Sequence, residues 1–304
     1  MIPPIRLFAL LAAIPVVQPI LAAPVHAAPA HVAPSAQPTR FSVSVMGSGP
    51  DVILIPGLAS SANVWNATAA RLAKTHRVHV IQVAGFAGAP AGANAEGPVI
   101  APLVAEIDAY IVANRLKAPA IIGHSMGGLI GLMLAAEHGA DVGRLMVVDA
   151  LPFFGMMQGP QASVENIRPQ AAAMRDMILK GGQEGYAASE PQVMARLVKS
   201  RGTEADAAIK AASASDHRVV AAAMYEDLTI DMRPALPGIR VPVTMVYAWD
   251  EGSGVPQAAF DALYRGAYAP LPGAEVQRID GAYHFIMIDQ PDLFGQAVDR
   301  FLAG

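Results

Sequence analysis

The chain of 304 residues contains no cysteine. Disulfides, thiolate metal sites, thiol nucleophiles and a lipidated N-terminal cysteine are excluded together, and covalent chemistry falls to serine. An excess of positive charge is also missing: 21 Lys and Arg stand against 25 Asp and Glu, a formal net charge of −4. No basic stripe of the kind nucleic acid requires is visible, so a nucleic-acid partner is not expected. The sequence has no internal repeat, no H-E-x-x-H zinc signature and no G-x-G-x-x-G after its first strand. A reaction without metal or cofactor is therefore expected. Beyond the N-terminus no stretch is long and apolar enough to cross a bilayer.

Residues 1–27 have the pattern of a secretory signal: Arg6 supplies a thin positive start, residues 7–17 an apolar core, and Val25-His26-Ala27 a small-residue cleavage site. Pro15 and Pro19 interrupt the apolar run and argue against an uncleaved anchor. Cleavage after Ala27 and a periplasmic or secreted protein follow as expectations, with no stable membrane span afterwards. Residues 28–39, rich in Ala and Pro without periodicity, are expected to form a disordered leader. The remainder, in a chain that is 53% hydrophobic, suffices for one large α/β domain with an insertion.

Residues 41–45 alternate as a half-buried strand, and Ser48-Gly49-Pro50 turns the chain into Asp51–Ile55, predicting a hairpin at the edge of a buried sheet. Strands at 78–83, 119–123 and 144–149 then alternate with helices at 102–116 and 126–138. The alternation stops at 151–238, where helical stretches at 169–179, 191–200, 204–213 and 217–228 are broken by Gly181-Gly182 and Gly202. It resumes with strands at 241–248 and 275–279 and helices at 256–264 and 291–302. The pattern predicts an α/β core at 40–150 and 239–304, with a mostly parallel sheet covered by helices on both faces. Residues 151–238 would form an inserted helical cap or lid over the strand ends.

The sharpest motif is Gly123-His124-Ser125-Met126-Gly127, a G-x-S-x-G between an apolar strand and a helical pattern. Such a turn strains the serine backbone and needs glycines on both sides, and it lifts the hydroxyl above the sheet edge. Serine needs a base to become a nucleophile. Of the eight histidines, His26 and His31 lie in the signal and leader. His76, His79 and His138 sit at element ends, His124 is within the turn with its ring expected to point away from the serine oxygen, and His217 opens a cap helix. His284, in the Gly-containing loop after the last strand, can swing over Ser125. For the acid that orients this base, Asp250, immediately after the strand 241–248, is the first choice. Glu251, Asp149 and Asp280 are the alternatives, Asp280 better suited to a turn or cap.

These residues resemble the α/β-hydrolase superfamily, in the order serine, acid, histidine, over essentially everything from Phe41 onward. The resemblance implies an oxyanion hole from the N–H groups of Met126 and Leu58. It also implies a carboxylesterase-like serine hydrolase of small apolar esters or lactones working through an acyl-enzyme. Rivals on the same residues are amide, thioester or C–C bond hydrolysis, a slow-turnover sensor, and a cofactor-free lyase. Phe153, Phe154, Met157 and Trp65 are candidate pocket walls, each with a core-packing alternative.

Overall fold

A computed structural model of the chain describes residues 38–159 and 161–304. The expected signal, its cleavage site and nearly all of the leader lie outside these residues. Where the leader is described, its end is fastened: Thr39 donates from N (3.0 Å) and Oγ1 (2.9 Å) to Glu106, so the expected disorder does not extend to Thr39.

Seven strands, β1 (Phe41–Gly47), β2 (Asp51–Ile55), β3 (Arg77–Val83), β4 (Ala120–His124), β5 (Arg144–Val148), β6 (Val243–Trp249) and β7 (Glu275–Asp280), form one sheet in the order β1-β3-β2-β4-β5-β6-β7. All pairs are parallel except β1 with β3. The central strands are continuous apolar runs buried from end to end, as in Ala120–His124, because helices cover both faces. The expected hairpin of β1 with β2 does not form. The turn between them lies on the backbone of residues 73–76, and β1 passes to the far side of β3, pairing Phe41 with Val83 and Gly47 with Arg77. The antiparallel edge exists, but its partner is the third strand.

Helices α1 (Asn66–Leu72), α2 (Ile100–Ala113) and α3 (Met126–Glu137) follow β2, β3 and β4. Between β5 and β6 come α4 (Val164–Met194), kinked at Gly182, then α5 (Thr203–Ser213) and α6 (His217–Thr229). After β6 come α7 (Gln257–Tyr268), the short α8 (Ile286–Asp289) and α9 (Pro291–Ala303). The helix expected over 191–200 ends at Met194, and residues 197–200 become a strap whose backbone bonds outward rather than to itself.

The insertion is stitched to the loops at the C-terminal ends of the strands. Glu226 on α6 accepts from the N–H groups of Val99 (2.7 Å) and Ile100 (2.9 Å), capping the start of α2 with a carboxylate where the helix dipole favours negative charge. Ser215 accepts from Ala87 N (2.8 Å) and donates to Ala59 O (3.2 Å), while Asp216 N donates to Gly85 O (2.7 Å).

Candidate active site

β4 delivers the chain to Ser125, and α3 begins at the next residue. Ser125 has φ 55° and ψ −124°, a conformation that costs a non-glycine residue on the order of 1–3 kcal/mol and persists only where its surroundings enforce it. The flanking glycines show how. A Cβ at position 123 would lie 2.1 Å from the Gly127 carbonyl oxygen, and one at 127 would lie 2.3 Å from that of Ile55. A donation from Ser125 N to Val148 O (2.8 Å) pins the turn to the end of β5.

The loop after β2 lies directly on Ser125, since a Cβ on Gly57 would come within 3.0 Å of the Ser125 Cβ. Leu58, the next residue, and Met126, the first of α3, have N–H groups that donate to no protein acceptor among the described residues. The Ser125 hydroxyl makes no hydrogen bond to His284 or to any other described residue. Such contacts commonly close only with substrate in place.

His284 lies in the loop after β7, and its Nδ1 is 2.7 Å from Asp149 Oδ2. This corrects the choice of Asp250 as the acid. Asp149 directly follows β5 with φ 49°, and its other oxygen accepts from Ala248 N (3.0 Å) and the Tyr264 hydroxyl (3.2 Å). With the Asp149 carboxylate held by these donors, Nδ1 carries the shared proton and Nε2 is left as the basic nitrogen. Asp250 is engaged elsewhere: it accepts from Gly252 N (2.9 Å) at the start of a short turn and forms an ion pair with Lys199 of the strap. Lys199 and the Gly252 N–H hold its carboxyl below the usual range. Glu251 is exposed and Asp280 pairs with Arg278. The decisive relation is lateral: β5 is the immediate neighbour of β4, which carries Ser125, and β6 is one strand further away.

Two positioning groups escaped the sequence reading. His124, expected only to point away, sits behind His284. Its ring centroid is 4.5 Å from that of His284, and its Nε2 donates to the His284 carbonyl oxygen at 2.9 Å. Full burial, and secondarily the neighbouring His284, push its pKa well below the ordinary histidine value, so it is a neutral prop. Asp289 closes the other side, accepting from the N–H groups of Tyr283 (2.8 Å), Ser200 (2.8 Å) and Lys199 (3.1 Å). One carboxylate thereby joins the histidine loop to the strap. The sequence signal for Asp289 was only its place five residues after His284.

Trp65 is not a pocket wall. It is fully buried under the elbow, edge-on to His124 at 6.5 Å and against Phe294 at 6.1 Å. Phe153 is likewise buried, in a small core of the insertion with Ile167, Met224 and Leu228, and the Arg233 guanidinium lies 4.6 Å over its ring. Phe154 and Met157 are half exposed on the turn that follows. Leu58, in the loop after β2, packs both against this small core and against the main core. Asp227, also on α6, is half-buried near His284, and burial pushes its carboxyl up to about 7. Among the described residues, no group of three or more His, Asp or Glu is placed to hold a metal ion, and no helix is long and apolar enough to cross a membrane.

An open, mostly parallel sheet with a strained serine between strand and helix, and an acid-supported histidine at the same sheet edge, defines a class. The sequence pattern described as Alpha/beta hydrolase family matches residues 52–297, and the chain belongs to that family. Among curated relatives, the pimeloyl-(acyl-carrier protein) methyl ester esterase of Aeromonas hydrophila subsp. hydrophila is 32% identical over 113 residues, 37% of this chain and 42% of its own. The first such relatives are thus matched over less than half of their length. The enzyme of the same description from Vibrio cholerae serotype O1 is 25% identical over 271 residues, covering 84% of this chain and 96% of its own. Among solved structures, the enol-lactonase from Burkholderia xenovorans LB400 superposes with a TM-score of 0.67 at 22% identity, covering 87% of this chain and 96% of that one. The fold is that of the α/β hydrolases.

Proposed function

We propose that the protein hydrolyses carboxylic esters or lactones through an acyl-enzyme, with Ser125 as nucleophile, His284 as base and Asp149 as the orienting acid. The observation that carries this is the 2.7 Å contact of His284 Nδ1 with Asp149, in a loop whose His284 carbonyl is bound by His124, the residue before Ser125 at φ 55°. Ser125 Oγ attacks the carbonyl carbon as its proton passes to His284 Nε2, and the carbonyl electron pair moves onto oxygen. The N–H groups of Leu58 and Met126 stabilise that oxyanion, a contribution of about 3 kcal/mol per donor in comparable sites. Collapse breaks the C–O bond, and His284 returns the proton to the departing alcohol. Water, deprotonated by the same nitrogen, then attacks the acyl group and releases the acid and free Ser125. Asp149 stabilises the imidazolium formed in both steps. Relatives described as a methyl ester esterase and an enol-lactonase support the choice of acyl–oxygen bonds.

The apolar side chains beside Leu58 suit a small, largely apolar acyl or alcohol group, and the insertion over the strand ends would act as its lid. The N-terminal pattern supports export with cleavage after Ala27. Incubation with a fluorophosphonate is expected to label one serine, Ser125, and purified protein should turn over short p-nitrophenyl esters. Absence of label at Ser125 would overturn the assignment.

A further inference from the structure

We infer that the free edge of β1 is a self-association surface, on which a second copy of this chain adds its own β1 antiparallel about a two-fold axis at Ser44. The inference is independent of the esterase reading above.

β1 stands at one end of the sheet and, among the described residues, pairs only with β3. Ala84 N donates to the carbonyl oxygen of Arg40 at 2.9 Å, which continues the register of that pair by one residue. The alternation of an antiparallel ladder then turns the N–H and C=O groups of Ser42, Ser44 and Met46 toward β3, and those of Phe41, Val43, Val45 and Gly47 outward. Side chains alternate as well: Phe41 and Val43 pack on the core, while Ser42, Ser44 and Met46 share the other face and are exposed. Val45, on the core-facing side, is still 52% exposed.

Such an edge invites another strand unless something guards it. β1 has no charge, no proline and no break in its seven-residue register. The opposite edge, β7, is guarded: it carries Glu275, Arg278 and Asp280 within six residues, and Arg278 is bound to Asp261 and Asp280. With one open edge per chain, a copy added there closes as a pair and does not grow into a fibre. The segment preceding β1 is no substitute. Thr39 and Arg40 are tied to Glu106, and Pro29, Pro34 and Pro38 leave no proline-free run longer than residues 30–33 in the proposed mature N-terminus, too short to pair along β1. β1 fits its own copy instead. A two-fold axis at Ser44 pairs Val43 with the partner's Val45 through their outward backbone groups, covers both valines, and sets Ser42 opposite the partner's Met46. No charged side chain lies within the paired residues.

The chain has no cysteine, so one introduced thiol reports on the pairing. Ser44 would face its own copy at a position without backbone hydrogen bonds, with Cα atoms about 4.5 Å apart, within reach of a disulfide. Ser42, on the same exposed face, would lie about 14 Å from its copy. In sedimentation velocity the purified protein is expected to show a monomer–dimer equilibrium with Kd on the order of 10 μM, as suits an interface at the small end of the specific range. Under mild oxidation Ser44→Cys should form an intermolecular disulfide at least about tenfold faster than Ser42→Cys. Val45→Lys should be monomeric at about 100 μM, because a charge on the edge opposes strand addition. Its thermal midpoint and its turnover of p-nitrophenyl esters should stay those of wild type, since β3 and β2 stand between β1 and the strand that carries Ser125. A wild-type protein that stays monomeric up to about 1 mM, equal disulfide rates for the two cysteines, or a dimer that survives Val45→Lys overturns the inference.

Discussion

His124 shows how one residue in a motif can serve the motif's partner. Its buried ring holds the backbone of His284 and stays neutral because burial opposes its protonation. The unfolded chain takes up a proton at this histidine below about pH 6.5, where the folded chain does not, so stability is lost as pH falls from there toward the depressed folded value. The slope attributable to His124 is at most about 1.4 kcal/mol per pH unit. Asp227 acts in the opposite sense: its folded pKa of about 7 exceeds the unfolded value of 3.8, so it binds its proton more tightly in the folded state over that window. The readout is therefore a difference between proteins. Between pH 7 and 5, denaturant-derived stability should fall less in His124→Gln than in wild type, and equal pH slopes would show that His124 does not titrate as described. The sequence placed His124 inside the turn but could not show what it supports, since its partner carbonyl is 160 residues away.

At the scale of elements, the strap after α4 and the loop after β7 behave as one unit. Asp289 is the joint, and Phe285 N adds a bond to Leu197 O at 3.3 Å. Asp289→Ala should free the histidine loop and lower kcat about 10- to 100-fold, the cost expected of misplacing a reacting group by about an ångström. KM and fluorophosphonate labelling should change less, because the serine turn is untouched. Unaltered kcat would mean that the His284 loop holds itself. Glu226→Gln addresses the other anchor and should destabilise the protein by roughly 1–3 kcal/mol, read by denaturant unfolding, as two N–H groups lose a charged acceptor. Helix and strand identities were legible wherever the period was sustained, as in β4 into α3. The strap was not: residues 191–200 follow a helical pattern, and only tertiary acceptors such as Asp289 pull their end out of the helix.

Across the whole molecule, strand order decided the site. Sequence spacing favoured Asp250, first past the strand before α7, because a chain read linearly does not reveal which strand ends lie side by side. In the folded sheet β5 adjoins β4, so Asp149 meets His284 while Asp250 secures Lys199. Ser125 and His284 were legible because a strained turn and a post-strand histidine loop each leave local marks in glycine. The pocket walls were not, since Trp65 and Phe153 differ from wall residues only in what covers them. The central claim is that these three side chains act together. It is tested most directly by kcat on one short p-nitrophenyl ester for Asp149→Asn beside Asp250→Asn. Asp149→Asn should lose about 10⁴-fold in kcat with an unchanged fold, because it upsets the histidine tautomer. Asp250→Asn should stay within a few-fold of wild type, having given up only an ion pair to a solvent-exposed lysine, which water and salt screen. Near-normal turnover in Asp149→Asn, with activity abolished in Asp250→Asn, would contradict the account.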